Sequence, residues 1–256
     1  MEVDQIVPNW HSIALGVEYL LAAVTFVVLL YVVAPYGRHE RPGWGPTVPA
    51  ALGWMIMEMP AVVLFAAIFF SGPNRFATVP LILLCLWQFH YLNRTLVFPL
   101  RMRTGDKRMP VVIMGLAICF NVLNTFVNAG WIGHLGTYTN DWIYDPRFIF
   151  GATLFLLGWL GNTHSDSVLR KLRRPGKSEY GIPRGGLYRW VSAPNYLCEI
   201  VEWIGWAMAT WSFAGLAFAV YTAANLVPRA LSHHEWYKDR FTDYPIERKA
   251  IIPYLL

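Results

Sequence analysis

The feature that most limits this chain is a succession of apolar runs, each about 20 residues long, separated by short polar segments that hold most of the charge. At about 1.5 Å per residue, a run of that length crosses a hydrocarbon core of roughly 30 Å as one α-helix. Seven runs stand out, at about 13–34, 48–70, 78–100, 111–133, 147–164, 191–212 and 213–232, the last two almost continuous. Only 14% of the 256 residues are charged, against roughly 25% in a soluble domain. The expectation is an all-α integral membrane protein, a bundle of seven transmembrane helices.

An odd number of spans places the termini on opposite sides, and the basic residues assign the sides. The connections after spans one, three and five hold 2, 4 and 7 Lys or Arg and the C-terminal stretch, counted from Arg229, holds 5, whereas the alternate side has only Arg75 and Arg147. Arg94 lies within a span. The basic side is expected to be cytosolic, with the N-terminus outside and the C-terminus inside, in a bacterial inner membrane or the endoplasmic reticulum. This asymmetry and the anionic headgroups it meets account for the net charge of +5 without a nucleic-acid partner.

The opening MEVDQIVPNWHS lacks the basic n-region of a cleaved signal, so the first run is expected to remain as an anchor. Cys85, Cys119 and Cys198 all fall in apolar runs without ligand spacing, and His233-His234 has no further His or Cys at a metal-binding interval, so no disulfide and no metal is expected. Without repeats or a long linker, residues 1–256 are expected to form one membrane-embedded domain. Its cytosolic segments, about 35–47, 101–110, 165–190 and the tail 233–256, would form one face.

Polar groups inside spans are costly and by default serve function, and here they fall in two layers. Glu58 and Tyr91 each lie about ten residues from the cytosolic end of a span, roughly 15 Å deep, so they can meet near the midplane. His90 and Arg94 share a helix face beside Tyr91. A shallower layer comprises Asn162, His164 and Asp166 of GNTHSD, then Arg173 and Arg174, then Arg229, His233, His234 and Tyr237. In SAPNYLCEIVEW, Pro194 belongs in the first turn of a helix that starts near Ser192, with Asn195, Glu199 and Glu202 on one descending stripe. Glu18, Asn121, Asn124 and Glu202 also fit interhelical hydrogen bonding. The two layers together call for a large anionic ligand entering from the cytosol and an apolar one with a small polar head among the spans: a nucleotide and a lipid.

GNTHSDSVLRKLRRPGKSEYGIPRGGLYRWVSAPNYLCEIVEWIGWAMATWS and LVPRALSHHEWYKDRFTDYPIERKAIIPYLL, with WMIMEMP and HYLNRTLVFP upstream, closely resemble the steroid 5-alpha-reductases (3-oxo-5-alpha-steroid 4-dehydrogenases). The likeness covers nearly the whole chain and is densest from Gly158 to Leu256. It implies a seven-helix enzyme that uses NADPH to reduce the C4–C5 double bond of a 3-oxo-Δ4-steroid. Glu58 and Tyr91 would bind the C3 carbonyl, the donor being the Tyr91 hydroxyl or a protonated Glu58. Asn162, Asp166, Arg173, Tyr180, Asn195, Glu199, Arg229, His233 and Tyr237 would hold NADPH, without a dinucleotide-binding glycine fingerprint. Trp54 and Phe120 would wall the steroid cleft. The chain departs from the family at Met57, where Gln is frequent, at Leu116, where a basic residue occurs, and in the length of RMRTGDKRMP.

An alternative is the isoprenylcysteine-type membrane methyltransferase, which uses S-adenosylmethionine and shares a PNYxxE core. Its members normally place Arg-His-Pro before the Asn, where this chain has Ser192-Ala193-Pro194, and they lack the pair at mid-depth. A transporter or channel would need a continuous polar path, which the almost wholly apolar outer halves of the spans do not offer.

Overall fold

A computed structural model describes residues 8–102, 107–172 and 180–256 of the chain. The expected segments appear as helices α1 (Asn9–Tyr31), α2 (Ala50–Ser71), α3 (Thr78–Leu92), α4 (Phe98–Arg101), α5 (Val111–Gly130), α6 (Pro146–Leu172), α7 (Pro194–Thr210) and α8 (Phe213–Arg240). A π-helical turn, Asn93–Val97, joins α3 to α4, and another, Trp131–Leu135, extends α5. Among the described residues, four helices can cross a membrane by length and composition: Asn9–Tyr31, Ala50–Ser71, Thr78–Arg101 and Val111–Leu135.

Proline sets most of the helix starts. Pro8, Pro49 and Pro110 immediately precede α1, α2 and α5, while Pro146 and Pro194 open α6 and α7. Its fixed φ suits the first turn, and the N–H it lacks has no partner there anyway. The nearly continuous last two runs are separated at Trp211, which takes a left-handed backbone (φ 43°), and at Ser212, whose Oγ accepts from Gly215 N at 3.0 Å to cap α8.

Three boundaries differ from the sequence reading. α6 runs on to Leu172, so GNTHSD lies within a helix rather than at its end. α8 continues to Arg240 through Pro228, which puts His233 and Tyr237 on a helix instead of in a tail. The expected start of span two also pairs with the end of the 101–110 loop as a short antiparallel ladder, β1 (Thr47–Pro49) with β2 (Arg108–Pro110), Val48 opposite Met109, tying the start of α2 to the start of α5.

Helices α6 and α7 pack along most of their length because Gly151, Gly158 and Gly205 let their backbones approach. A Cβ at Gly158 would lie 2.5 Å from Glu202 N and 2.6 Å from Cys198 O. The core beside this seam is aromatic: Trp87, Trp203, Trp206, Phe65, Phe155 and Phe218 are all buried. The indoles are satisfied, Trp87 Nε1 donating to Ala61 O at 2.8 Å and Trp206 Nε1 to Asn128 Oδ1 at 3.0 Å. Facing away from the core, α1 leaves Ile13, Leu20, Val27 and Leu30 exposed, an apolar surface suited to lipid.

Candidate active site

The C-terminal residues hold the start of α7 in place. Val191 forms a parallel bridge with Lys249, and Ser192 N and Ala193 N donate to Lys249 O and Ala250 O at 2.8 and 3.1 Å. Ser192 Oγ also lies 2.6 Å from both His234 Nδ1 and Tyr244 Oη. His234 is thereby engaged in fixing the chain.

From this fixed start, α7 presents Asn195 and Glu199 toward α6. Asn162 Nδ2 donates to Asn195 O at 2.9 Å and to Glu199 Oε2 at 3.2 Å, while Asn195 Nδ2 donates to Asp166 Oδ1 at 3.1 Å. Four expected residues thus form one network. Its cation is Arg94, whose Nη1 and Nη2 lie 3.5 Å from Asp166 Oδ2 and Glu199 Oε2. The guanidinium also stacks over Trp54 and Phe98, at 4.9 and 4.5 Å from the ring centroids. Arg94, Asn162, Asp166 and Arg170 line one recess. Arg94 was visible in the sequence as a charge inside a span, but its partners on α6 and α7 were not.

A second group gathers where α8 meets the segment after α1. Arg229 Nη2 donates to Tyr196 Oη at 3.0 Å, and its guanidinium covers Tyr36 at 4.7 Å. The His233 ring stacks on His39 and lies against Tyr196, both at 5.2 Å between centroids. Tyr237 stacks on Tyr244, and Arg38 sits over Tyr237 at 4.6 Å with Trp236 and Tyr180 around it. Lys107 covers the Tyr180 ring at 4.1 Å. Burial, followed by the positive charges of Arg38, Arg229 and Arg41, pushes His39 down to about 4. Arg38 and His39 were not expected members; the signal was only a basic pair after the first span. Arg173 lies outside the described residues.

The third group centres on Glu58 and Tyr91, both buried. Glu58 Oε2 accepts from Asn121 Nδ2 at 3.3 Å, and the same amide donates to Met57 O at 2.7 Å. Tyr91 is buried against Trp87, 4.8 Å between centroids, and Trp203, 5.8 Å, within electrostatic reach of Glu58. Phe120 stacks on Tyr221 at 3.5 Å. Glu202, left open by the sequence, is fully buried and 2.6 Å from His90 Nδ1.

The chemistry of these donors fits a dinucleotide phosphate. Among the described residues, Arg38 Nη1 and His39 Nε2 are buried without a hydrogen-bond partner, beside Arg229 and several aromatic faces. Buried donors of this kind are suited to anionic oxygens. Among the described residues, no three His, Cys, Asp or Glu side chains cluster as metal ligands do.

Residues 107–256 match the family model described as 3-oxo-5-alpha-steroid 4-dehydrogenase. Over 242 residues the chain is 42% identical to a steroid 5-alpha-reductase DET2 of Gossypium hirsutum, covering 93% of this chain and 94% of that protein. It is 43% identical over 245 residues to 3-oxo-5-alpha-steroid 4-dehydrogenase 1 of Bos taurus, with 93% and 94% covered. The human protein of that name is 44% identical over 222 residues, with 86% and 85% covered. The chain belongs to the 3-oxo-5-alpha-steroid 4-dehydrogenase family of oxidoreductases, the steroid 5-alpha-reductases.

Proposed function

We propose that the protein reduces the C4–C5 double bond of 3-oxo-Δ4-steroids to 5-alpha-3-oxosteroids, with NADPH as the reductant. The observations that support this reading are the hydrogen-bonded network of Arg94, Asn162, Asp166, Asn195 and Glu199 and the burial of Glu58 and Tyr91. Family membership replaces the methyltransferase alternative.

NADPH supplies the hydride that C5 accepts. Arg38, Arg229, His39 and His233 would take its phosphates, and Asn162, Asp166, Asn195 and Glu199, with Arg94 holding the carboxylates, would take its hydroxyl and amide groups. Tyr180 and Tyr237 hold Arg38 in place from their ring faces, and Arg173 completes the set by resemblance. An enone accepts hydride at its β-carbon only when the charge growing on O3 is stabilised. Tyr91 Oη donates to O3, and Glu58, fixed by Asn121, holds the other side of that oxygen. Trp54 and Phe120 wall the steroid and exclude water from the developing charge.

We further read residues 1–256 as one domain of seven spans, α6, α7 and α8 adding to the four apolar helices. The N-terminus is outside, and the cofactor face is cytosolic, in a bacterial inner membrane or the endoplasmic reticulum. The basic residues support this orientation. On the other side, Arg147 is neutralised by Asp145, with Nη2 to Oδ2 at 2.7 Å. The partners are the steroid and the bilayer, with no nucleic acid and no metal. The test is product analysis: purified protein with NADPH and progesterone or testosterone should yield the 5-alpha product. Saturable S-adenosylmethionine binding without NADPH affinity would overturn the assignment.

A further inference from the structure

His90 and Glu202 form a buried pair that the network at the rim does not use. Nδ1 and Oε1 are 2.6 Å apart, Glu202 is fully buried, and its Oε2 has no partner among the described residues. The His90 ring meets Glu202 through Nδ1, so Nε2 is the nitrogen left to face another group. The pair sits beside Tyr91: the His90 ring lies 4.9 Å from the Tyr91 ring, and both pack on Trp203, at 4.6 and 5.8 Å. The nearby charges are Arg94, Glu58 and Glu199, and Arg94 is already engaged by Glu199 and Asp166. Among the described residues no ion pair to Lys or Arg reaches Glu202, so a neutral carboxylic acid hydrogen-bonded to a neutral imidazole is the less costly buried state.

We propose that the His90–Glu202 pair is a proton store for Tyr91, and that both residues act in the reduction through Tyr91 rather than by touching the steroid. This rests on the reductase reading above. Once C5 has accepted hydride, the negative charge lies on O3 of the enolate. The Tyr91 O–H bond breaks and O3–H forms, leaving an enol and a tyrosinate. His90 Nε2–H reprotonates the tyrosinate while the Glu202 O–H proton passes to Nδ1. The imidazole stays neutral, and the single negative charge ends on Glu202. The enol becomes the ketone as C4 takes a proton and O3 releases one, so one proton is consumed. Glu202 is recharged from the cytosolic rim, where Glu199 lies one turn earlier on α7. Unlike the carboxylate of a hydrolase triad, which stays ionised, Glu202 starts here as the acid and ends as the anion.

Isotope effects and infrared spectroscopy test this on the full-length protein. Glu202→Gln should lower kcat about 10²-fold, as loss of a positioned proton donor does, with the KM for NADPH within about twofold. Its solvent deuterium isotope effect should rise and the effect of NADPH deuterated at the transferred position should shrink, because the proton step has become limiting. Glu202→Asp should restore the wild-type pattern, and imidazole should rescue His90→Ala. Without any substrate, the wild type should show a carboxylic-acid C=O band that shifts in D2O and is missing in Glu202→Gln. Slower turnover with unchanged isotope effects, or a spectrum without that band, would overturn the proposal. If Glu202→Gln does not fold, Glu202→Asp and imidazole rescue of His90→Ala decide by the same readouts. A wild type inactive on every Δ4-3-ketone would instead sink the reductase reading, leaving the infrared result to stand alone.

Discussion

Arg94 of the π-helical turn and Glu199 of α7 lie 3.5 Å apart, Nη2 to Oε2, and the opposite arm of the same guanidinium lies 3.5 Å from Asp166 on α6. One cation therefore ties three segments together at the level where the cofactor is proposed to bind. Replacing it by Leu leaves two carboxylates close together and uncompensated. Arg94→Leu should destabilise the protein by about 3 kcal/mol, the lower end for breaking a buried pair because these side chains keep 12–15% exposure. Arg94→Lys should recover part of this but lose the fork that reaches both partners. Thermal unfolding in detergent, with and without NADPH, measures both.

At the buried site, Glu58→Gln and Tyr91→Phe should each lower turnover by about 10²-fold or more, the usual cost of removing an oxyanion donor. NADPH affinity should remain nearly unchanged, since neither residue belongs to the rim. Full activity in both variants would exclude the assigned chemistry. Asn195→Ala should do the reverse: it removes a donor to Asp166, so cofactor binding weakens before the chemical step does.

The sequence made the stripe Asn195–Glu199–Glu202 legible because the helical period and Pro194 place all three on one face. It also put Glu58 and Tyr91 at about the same distance from the ends of their apolar runs. What it could not show was partnership across helices. Glu202 pairs with His90, 112 residues away, and Arg94 joins carboxylates from two other helices, contacts that no local pattern encodes. The helix ends were misplaced for a local reason: GNTHSD and SHHEWYKDR look like loops by polarity. They stay helical because α6 has α7 to pack on and α8 carries aromatic residues that bury against the rim, so packing overrides composition. Arg38 and His39 escaped notice because nothing in a short basic loop marks it as folding over α8.

His39 gives a pH dependence with a definite sign. Its value in the folded protein is pushed down to about 4, mainly by burial and then by Arg38, Arg229 and Arg41, whereas the unfolded chain titrates near the ordinary 6.5. The unfolded state takes up the proton first, so this contribution to stability is complete above about pH 6.5 and is lost as pH falls toward about 4. Phosphates bound beside His39 would offset the surrounding positive charge. Saturating NADPH should therefore flatten the acid-side fall in stability, and His39→Gln should flatten it without cofactor. Melting curves between pH 7.5 and 4.5 decide this; an unchanged slope in His39→Gln would remove His39 from the account.

The seam between α6 and α7 links packing directly to the cofactor layer. A methyl group at Gly158 would meet Glu202 N at 2.5 Å and Cys198 O at 2.6 Å, both backbone atoms that cannot rotate away. Relief requires the helices to separate, and Asn162 lies one turn further along α6 from Gly158. Its 2.9 Å bond to Asn195 O and its 3.2 Å bond to Glu199 would both stretch. Gly158→Ala should therefore weaken NADPH binding at least tenfold and lower the melting temperature, although the added methyl touches no proposed ligand group; overpacking of this kind costs about 1–3 kcal/mol. Gly115→Ala is the control, since a Cβ there meets nothing within 4 Å. Equal NADPH affinity in the two variants would show that the rim does not depend on close approach of the helices.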